Sequence, residues 1–535
     1  MRISLFLFIF CFSVIAQGTI TDSKIYWAQF NTKANTPYSL NHPETYLSQR
    51  AIERRNMHGI SIDSTDLPVN PTFIDSLKSL GFRVKHTSRW MNGAIVSLSD
   101  ELDIESEVRP SFVSFYQIRK DIPLKSCINK FSDPDSDIQQ YYGNSYRQIS
   151  MLNGQILHQH VKGKGVVVAV IDAGFQNADQ LDAFDSLFAR NGVLGTYDFV
   201  NPGNNVYNEY HHGAAVLSVM AGNQPETLIG SAPDAEYWLL RSEDVNSEFP
   251  VEEDYWIIAA EFADSVGCDV INTSLGYTTF DNPIFDHTYA EFDGKTMRIS
   301  KAANMAVDKG MVVVCSAGNS GNDAWGHIVA PSEAKNVLSI AAVNSAGDSV
   351  AFSSRGFTGE GALMKPDVAA MGAGVSFASS ATNALVTGNG TSFSSPIIAG
   401  MAACLVELYP QKSATEIINL IRTLGDRYPS HDIKYGYGIP NFRLLFDTTT
   451  TITNQFSPTV LVTPNPFSST LHIKHATNMT NFKLYSFSGE EILAMPLHGI
   501  YSEISSSSLS NLPKGVYFAV LSGTHEVKTI KLMKQ

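Results

Sequence analysis

The sequence predicts an α/β protein: a three-layer α/β/α sandwich around a mainly parallel sheet, preceded by a small α+β module and followed by a small all-β sandwich. Two apolar runs, residues 166–171 and 312–315, are typical of strands buried on both faces, as in parallel sheets. Each run leads to a polar residue and a glycine, Asp172 with Gly174 and Asn319 with Gly318. The chain has 535 residues, which exceeds what one hydrophobic core usually organises, so we expect several domains.

Ser392 is the candidate nucleophile. It follows Gly390 and Thr391 and precedes the small, apolar segment 397–406, so it lies between a glycine turn and the first turn of a buried helix. A serine in that place has an exposed hydroxyl with the positive end of a helix behind it. A single turn of this kind is also common in surface loops, so the prediction depends on the segments upstream.

Three upstream segments supply the groups that a nucleophilic serine needs. Asp172 ends one buried strand, and Asn319 follows another and offers an amide donor for an oxyanion. His212 stands where a loop gives way to a helix. His211 is the competing candidate for the base, but the glycine after His212 favours His212. Taken singly, Asp172, His212 and Asn319 are better interpreted as a helix cap, a loop residue and a turn. Together they predict an active site.

These segments resemble the motifs of the subtilisin-like serine peptidases, in the aspartate, histidine, serine order of that family. The main matches, in chain order, are Asp172-Ala173-Gly174, His212-Gly213-Ala214, Ala317-Gly318-Asn319 and Gly390-Thr391-Ser392-Phe393-Ser394-Ser395-Pro396. Shorter matches occur at residues 230–233, 272–276 and 365–368. The resemblance implies a serine endopeptidase domain over residues 144–447 whose protein or peptide substrates bind in extended form.

The resemblance also implies a role for each residue. Ser392 attacks the scissile carbonyl, His212 takes and returns its proton, and Asp172 orients the imidazole. Asn319 and the backbone N–H of Ser392 bind the oxyanion. Three further residues match the family's substrate-binding strand: Ser274, Leu275 and Gly276.

The chain departs from the family pattern at a few side chains next to these residues. Ala173 and Ala214 stand where the family has hydroxyl residues, and Phe393-Ser394 replaces Met-Ala after the nucleophile. None of these changes removes an atom that transfers a proton, so we expect activity. The lost hydroxyl at Ala214 leaves room for a shifted His212.

Two rival interpretations fit the sequence less well. An α/β-hydrolase would need a Gly-x-Ser-x-Gly elbow and the order Ser, Asp, His, whereas Ser392 comes last here and position 394 is serine. A catalytically silent binding or adhesion protein of the cell surface would usually lack a triad member or the oxyanion group, and none is missing.

The sequence predicts no required cofactor and no catalytic metal. The acidic run 133–137 lacks the glycine and distal glutamate of a defined calcium loop and is interpreted as an exposed linker, although many members of the resembling family bind structural calcium. His158 and His160, without other ligands nearby in sequence, are interpreted as surface residues. The net charge of −14 argues against nucleic acid as a partner, because phosphate binding needs a basic patch.

The first residues are typical of a Sec signal peptide. Arg2 and the apolar run 5–15 predict a signal over residues 1–16, cut near Gln17. The apolar run is too short for a membrane span, and no other run is long enough, so we expect export without an integral span.

Residues 17–125 predict a compact α+β module. Its helical stretches are 43–57 and 71–80, and its strand-like segments are 82–87 and 94–98. Before a subtilisin-like domain, such a module resembles an inhibitory propeptide whose tail occupies the cleft until it is cut. An accessory domain that stays attached is the alternative. Residues 126–143 are the expected linker.

The C-terminal part has a different pattern. After a polar linker, 448–459, residues 460–535 alternate as short strands separated by glycine turns, which predicts a small β-sandwich. Pro464-Asn465-Pro466-Phe467 and the segment 512–517 resemble the sorting domain of the type IX secretion system of Bacteroidetes. This implies contact with that machinery and a secreted or outer-surface protein. A carbohydrate-binding or adhesive domain is the alternative.

Two local features complete the sequence. The four cysteines after the signal peptide are too scattered for a disulfide scaffold, and we expect buried apolar packing with a Cys268–Cys315 bridge left open. The aromatic insertion 281–295 either rims the cleft or covers an edge of the domain. The floor of the substrate pocket is expected within 320–331, where Trp325 would narrow it. No motif indicates which substrate side chain is preferred.

Overall fold

The computed structural model describes residues 24–97, 109–121, 139–357, 363–446, 461–463, 467–474, 479–486, 489–497, 501–505, 507–523 and 527–534. The chain divides into two compact units, Met1–Arg443 and Leu444–Gln535. The predicted signal peptide, the acidic run 133–137 and Cys127 lie outside the described residues.

The first unit contains an antiparallel sheet, a parallel sheet and the helices around them. Its strands are β1 (Lys24–Phe30), β2 (Arg83–Ser88), β3 (Gly93–Ser97), β4 (Val113–Asp121), β5 (Val167–Asp172), β6 (Val193–Asp198), β7 (Asn223–Gln224), β8 (Leu228–Ile229), β9 (Glu236–Arg241), β10 (Val270–Thr273), β11 (Val312–Ser316), β12 (Leu338–Val343), β13 (Gly356–Phe357), β14 (Met364–Lys365), β15 (Val368–Met371), β16 (Ala373–Ala378) and β17 (Leu385–Asn389). Its helices are α1 (Gln49–His58), α2 (Pro71–Ser79), α3 (Gln139–Tyr142), α4 (Tyr146–Ser150), α5 (Gly154–Leu157), α6 (Asp185–Ala189), α7 (His212–Ala221), α8 (Val251–Val266), α9 (Arg298–Asp308), α10 (Thr391–Leu408) and α11 (Ala414–Thr423).

The N-terminal module is a four-stranded antiparallel sheet in the order β2-β3-β1-β4. Helix α2 packs on β2, and α1 contacts α8. The side chain of Ser48 caps the start of α1, and Gly59, with φ 66°, ends it. Asn70 caps α2, and Pro71 occupies its first turn, where the missing N–H costs nothing. The predicted α+β module is therefore present, with α1 beginning later than the sequence pattern indicated.

The central sheet has seven strands in the order β15-β12-β11-β10-β5-β9-β6, and all of its pairs are parallel. The apolar runs that predicted buried strands form β5 and β11, whose residues are all buried. Helices α7 and α10 pack against each other and the sheet, and α8 and α9 form a second packed pair. This is the three-layer α/β/α sandwich that the sequence predicts.

Arginines of the N-terminal module bind carboxylates of α8 in a buried interface. Arg89 contacts Asp264 at 2.7 Å. Arg119 contacts Glu253 at 3.0 Å and Asp254 at 2.7 Å, and none of these three side chains is more than 8% exposed. Buried charges are tolerated when they are paired, and the loss of one partner is strongly destabilising. The module is therefore held on α8 by complementary charge.

The structure contradicts the sequence interpretation of His158. His158 was expected at the surface, but it is buried, because its ring bonds Tyr142 Oη at 3.1 Å and the backbone oxygen of Ser231 at 3.0 Å. Burial lowers the pKa of His158 to about 4.

Cys268 and Cys315 are buried and free. The parallel register of β10 and β11 places Cys315 beside Thr273, and Thr273 is about 16 Å along the strand direction from residue 268. This separation is too large for the Cys268–Cys315 bridge that the sequence left open.

The second unit is all-β apart from a single short helix among its described residues. Its strands are β18 (Leu461–Thr463), β19 (Thr470–Lys474), β20 (Met479–Ser486), β21 (Glu491–Pro496), β22 (Tyr501–Ser505), β23 (Gly515–Gly523) and β24 (Val527–Lys534), with α12 at Ser507–Ser510. They form two antiparallel sheets, β18-β19-β22 and β21-β20-β23-β24. Both sheets contribute to one apolar core, which includes Ile473, Phe482 and Leu521. The predicted small β-sandwich is present.

One helix in the described part of the chain has the length and composition of a membrane span. It is α10, and 83% of its apolar window is buried inside the protein. Its apolar character is that of a core helix.

Candidate active site

The candidate site lies at the carboxyl edge of the parallel sheet, where four neighbouring strands end. Asp172 is the last residue of β5, and Glu243 follows the neighbouring strand β9. On the other side of β5, residues 274–276 follow β10, and Asn319 follows β11. Parallel strands deliver their carboxyl ends to one edge, so residues distant in sequence meet there.

Asp172 ends β5 and is fully buried. Its Oδ1 accepts a hydrogen bond from Nδ1 of His212 at 2.7 Å and another from the backbone N–H of Ala173 at 2.7 Å. Its Oδ2 has no hydrogen-bond partner among the described residues, and the alanine at 173 has no hydroxyl to offer. The carboxylate therefore fixes the tautomer and the orientation of the imidazole through one oxygen.

His212 is the first residue of α7, and the glycine after it allows this close approach. A Cβ at Gly213 would lie 2.4 Å from the backbone oxygen of Gly174 and 2.9 Å from Cβ of Asp172. The neighbouring His211 is exposed. The geometry therefore agrees with the choice of His212 over His211 that the sequence favoured.

The environment of His212 raises its pKa. Burial opposes the charged imidazolium, but the charge of Asp172, its hydrogen bond and the charge of Glu243 outweigh burial and raise the pKa above the ordinary value of 6.5. An imidazole that binds a proton more readily is a better base for a serine hydroxyl.

Ser392 lies in the first turn of α10, and a proline fixes its backbone. Pro396 has no N–H, so the Ser392 carbonyl has no helical partner four residues on. The hydroxyl of Ser274 donates to that carbonyl at 2.9 Å, and the hydroxyl of Ser392 donates to the Ser274 carbonyl at 3.2 Å. Ser392 makes no hydrogen bond to His212, so its hydroxyl must turn before the imidazole can take its proton.

Asn319 follows β11, and Thr391 orients its amide. Oδ1 of Asn319 accepts from the backbone N–H of Thr391 at 2.8 Å and from its hydroxyl at 3.0 Å. Nδ2 is thereby turned away from Thr391. A Cβ built on Gly390 would lie 3.6 Å from this Nδ2 and 3.7 Å from the backbone nitrogen of Ser392. Both nitrogens thus lie beside Gly390.

These groups border a cleft of about 330 Å³. The predicted substrate strand lines it: Ser274 and Leu275 are buried, whereas Gly276 is exposed. The next residue, Tyr277, forms an antiparallel bridge with Ala330. The exposed glycine edge can accept an extended peptide as a further strand.

The aromatic insertion packs on Trp325 and His327. Phe292 packs on Trp325 with ring centroids 4.6 Å apart, and Tyr289 packs on His327 at 4.3 Å. None of these rings belongs to the described lining of the cleft.

Glu243 is a cleft residue that the sequence interpretation missed. It lies two residues beyond β9, and its Oε2 accepts a hydrogen bond from the hydroxyl of Tyr277 at 2.9 Å. Its carboxyl oxygens lie within 4.8 Å of those of Glu248 and Glu252. No motif surrounds this residue, so a sequence pattern had no means of finding it. Thr391 was missed as well, although its place beside Ser392 is a signal.

The pKa values in this group are raised. Burial, followed by the negative charge of Asp172, raises the pKa of Glu243 to about 7, against the effect of the Tyr277 hydrogen bond. Burial and the charge of Glu243 raise the pKa of Glu248 to about 9. Burial also raises the pKa of Glu252. Close carboxyl groups cannot all ionise together at neutral pH.

A parallel α/β/α sheet with an aspartate–histidine pair, a serine at a helix N-terminus and a nearby amide is the arrangement of serine peptidases. Residues 163–438, more than half of the chain, match the Subtilase family. The chain belongs to this family and is a serine endopeptidase. Residues 25–133 match the Peptidase S8 propeptide domain of Bacteroidota, and residues 461–535 match the secretion system C-terminal sorting domain.

Similar proteins include Subtilisin E of Bacillus subtilis (strain 168), 26% identical over 373 residues, which are 69% of this chain and 84% of that protein. Subtilisin DY of Bacillus licheniformis is 29% identical over 289 residues, 53% of this chain and 91% of that protein. Among solved structures, MycP1 from Mycobacterium smegmatis is 21% identical, with a TM-score of 0.45 over 60% of this chain and 88% of that one.

Proposed function

We propose that the chain is the preproprotein of an exported serine endopeptidase that uses Asp172, His212 and Ser392 as its triad. The observation that supports this most is the 2.7 Å hydrogen bond between Asp172 and His212, beside a serine that begins a buried helix. The residues that line the cleft at this point are mostly small, as the approach of a peptide backbone requires.

Catalysis proceeds by two acyl-transfer steps. The Ser392 hydroxyl turns from the Ser274 carbonyl to Nε2 of His212, gives up its proton and attacks the scissile carbonyl carbon. His212 then protonates the leaving amine, so the peptide C–N bond breaks and an acyl-serine remains. Water enters, loses its proton to His212 and attacks the ester, and that proton returns to Ser392. Asp172 stabilises the imidazolium in both steps.

The oxyanion of each tetrahedral intermediate is bound in the space beside Gly390. The donors are Nδ2 of Asn319 and the backbone N–H of Ser392. In a subtilisin, the loss of the corresponding asparagine costs roughly 10²–10³ in turnover. Every group in this scheme belongs to the chain, and we propose that the chemistry requires neither metal nor cofactor. Structural calcium is a separate question that a titration with calcium can answer.

The flanking parts fit a secreted zymogen. We propose that residues 17–125 act as an inhibitory propeptide held on α8 by the buried arginines, and that it is released by a cut in the linker 126–143. A signal peptide over residues 1–16 would start export. The sorting domain, residues 460–535 beyond the linker 448–459, would engage the type IX machinery and deliver the enzyme outside the cell or to its surface.

The test compares wild type with Ser392→Ala. We expect the full chain without residues 1–16 to lose its propeptide by self-cleavage and to hydrolyse peptides, and the variant to do neither. Asn319→Ala should lower kcat with little change in KM. Hydrolysis by purified Ser392→Ala would end the triad assignment. A wild type that neither hydrolyses peptides nor reacts with a fluorophosphonate would favour the silent binding protein.

A further inference from the structure

Glu243 is an acidic group of the substrate cleft that neither takes nor gives a proton in the catalytic steps. Among the described residues that line the cleft, it is the only carboxylate, and neither lysine nor arginine lines the cleft beside it. Its partners are neutral or acidic: the Tyr277 hydroxyl on one side, and Glu248 and Glu252 within 4.8 Å on the other. A cationic group that entered the cleft would therefore be repelled by no positive side chain of the described lining except protonated His212.

Two residues that follow Glu243 in the chain, Asp244 and Ser247, already bind a lysine of this protein. Lys120, near the end of β4, places its Nζ 2.8 Å from Oδ2 of Asp244 and 2.8 Å from the hydroxyl of Ser247. The same Nζ lies 5.8 Å from the centre of the Phe249 ring. The residue that follows Glu243 therefore already binds an ammonium group that an extended strand presents.

We propose that Glu243 is a specificity-determining residue, which selects peptide substrates with a lysine or arginine side chain close to the scissile bond. The inference rests on the proposed peptidase function and names the substrate class of that site. The substrate ammonium or guanidinium would donate a charge-assisted hydrogen bond to the Glu243 carboxylate.

The preference depends on pH because Glu243 titrates near neutrality. Its pKa is raised to about 7 by burial and by Asp172, with opposing contributions from Tyr277, His212 and Glu252. Lysine stays charged throughout this range. The carboxylate form binds a cation best, so the preference for a basic side chain should increase with pH. Protonation of His212 affects the cleavage of basic and neutral peptides alike and cancels in their ratio.

The experiment uses the full chain after its own maturation and pairs of internally quenched peptides. One peptide of each pair carries lysine and the other the neutral isostere norleucine, at each position flanking the scissile bond in turn. At one position we expect kcat/KM for lysine to exceed that for norleucine by about tenfold. Raising the pH from about 6 to about 8, one unit either side of the Glu243 pKa, should increase this ratio several-fold.

Glu243→Gln keeps an acceptor for Tyr277 but removes the charge, and it should bring the ratio close to one at every pH. The matched control is Glu226→Gln, the same change at an exposed glutamate outside the cleft lining, and it should keep the wild-type ratio. Ratios near one in wild type, or a lysine preference that survives Glu243→Gln, would overturn the inference. If Glu243→Gln does not fold, the pH series in wild type decides alone. Failure to cleave any peptide would instead contradict the proposed peptidase function.

Discussion

Thr391→Val tests whether the amide of Asn319 works because Thr391 holds it in place. Oδ1 of Asn319 accepts two hydrogen bonds from Thr391, one from its N–H at 2.8 Å and one from its hydroxyl at 3.0 Å. Valine keeps the shape and the N–H but removes the hydroxyl. If complete loss of the asparagine costs roughly 10²–10³ in turnover, losing one of two restraints should cost roughly 10–30-fold, the square root of that factor.

The same hydroxyl also accepts the backbone N–H of Gly318 at 3.2 Å, in a buried setting. Valine leaves this donor unpaired, so we expect the free energy of unfolding to fall by about 1–3 kcal/mol as well. The kinetic effect is separated from this loss by measuring kcat and KM well below the unfolding temperature. We expect kcat to fall and KM to stay close to the wild-type value.

Two further variants complete the test. Thr391→Ser keeps the hydroxyl and should restore most of the turnover. In the Asn319→Ala background, Thr391→Val should cost little more, because the two residues act through one donor. A full additional loss in that background, or equal turnover in wild type and Thr391→Val, would refute the positioning role.

Three other predictions follow from the geometry. Gly390→Ala places a methyl group between the two oxyanion donors and should lower kcat at least as much as the loss of Asn319, roughly 10²-fold or more; a kcat within a few-fold of wild type would remove this space from the mechanism. Arg119→Ala removes one of two cationic partners from each of two buried carboxylates of α8, because Glu253 keeps His287 and Asp254 keeps Arg298. It should destabilise the uncut Ser392→Ala protein by about 1–3 kcal/mol in urea unfolding; the exposed Arg83→Ala is the control, and equal midpoints would contradict the buried-charge argument. His212 must be neutral to act as a base, and its pKa is raised, so kcat/KM should fall with decreasing pH through a midpoint above 6.5; a midpoint at or below 6.5 would contradict the influence of Asp172.

Much of the fold could be predicted because burial leaves a direct mark on sequence. The run that became β5 has no polar residue before Asp172, and strands covered on both faces need such runs. The start of α1 was less visible. The cap is a single serine at 48, within a polar stretch that has the composition of a helix throughout.

The triad candidates could be predicted because short motifs carry their local geometry. Gly213 is required by the 2.4 Å approach to a backbone oxygen, and any side chain there would separate His212 from Asp172. The link between Ser274 and Ser392 was also readable in principle. A proline four residues after Ser392 leaves that carbonyl without a helical donor, and a nearby side chain must supply one.

Glu243 and His158 mark the limit of such reasoning. The place of Glu243 in the cleft depends on β9 lying beside β5 and on Tyr277 reaching across, neither of which leaves a local pattern. His158 is buried because Tyr142 and Ser231, distant in sequence, satisfy both ring nitrogens. Tertiary partners decide such cases, and spacing along the chain does not reveal them.

The most direct measurement is to label the matured full chain with a fluorophosphonate and to locate the modified residue by mass spectrometry. This reagent reacts with an activated serine. We expect a single phosphonylated residue, Ser392, and no labelling in His212→Ala. No labelling of the matured wild type, or a label on another serine, would contradict the proposal that Ser392 is the nucleophile activated by His212.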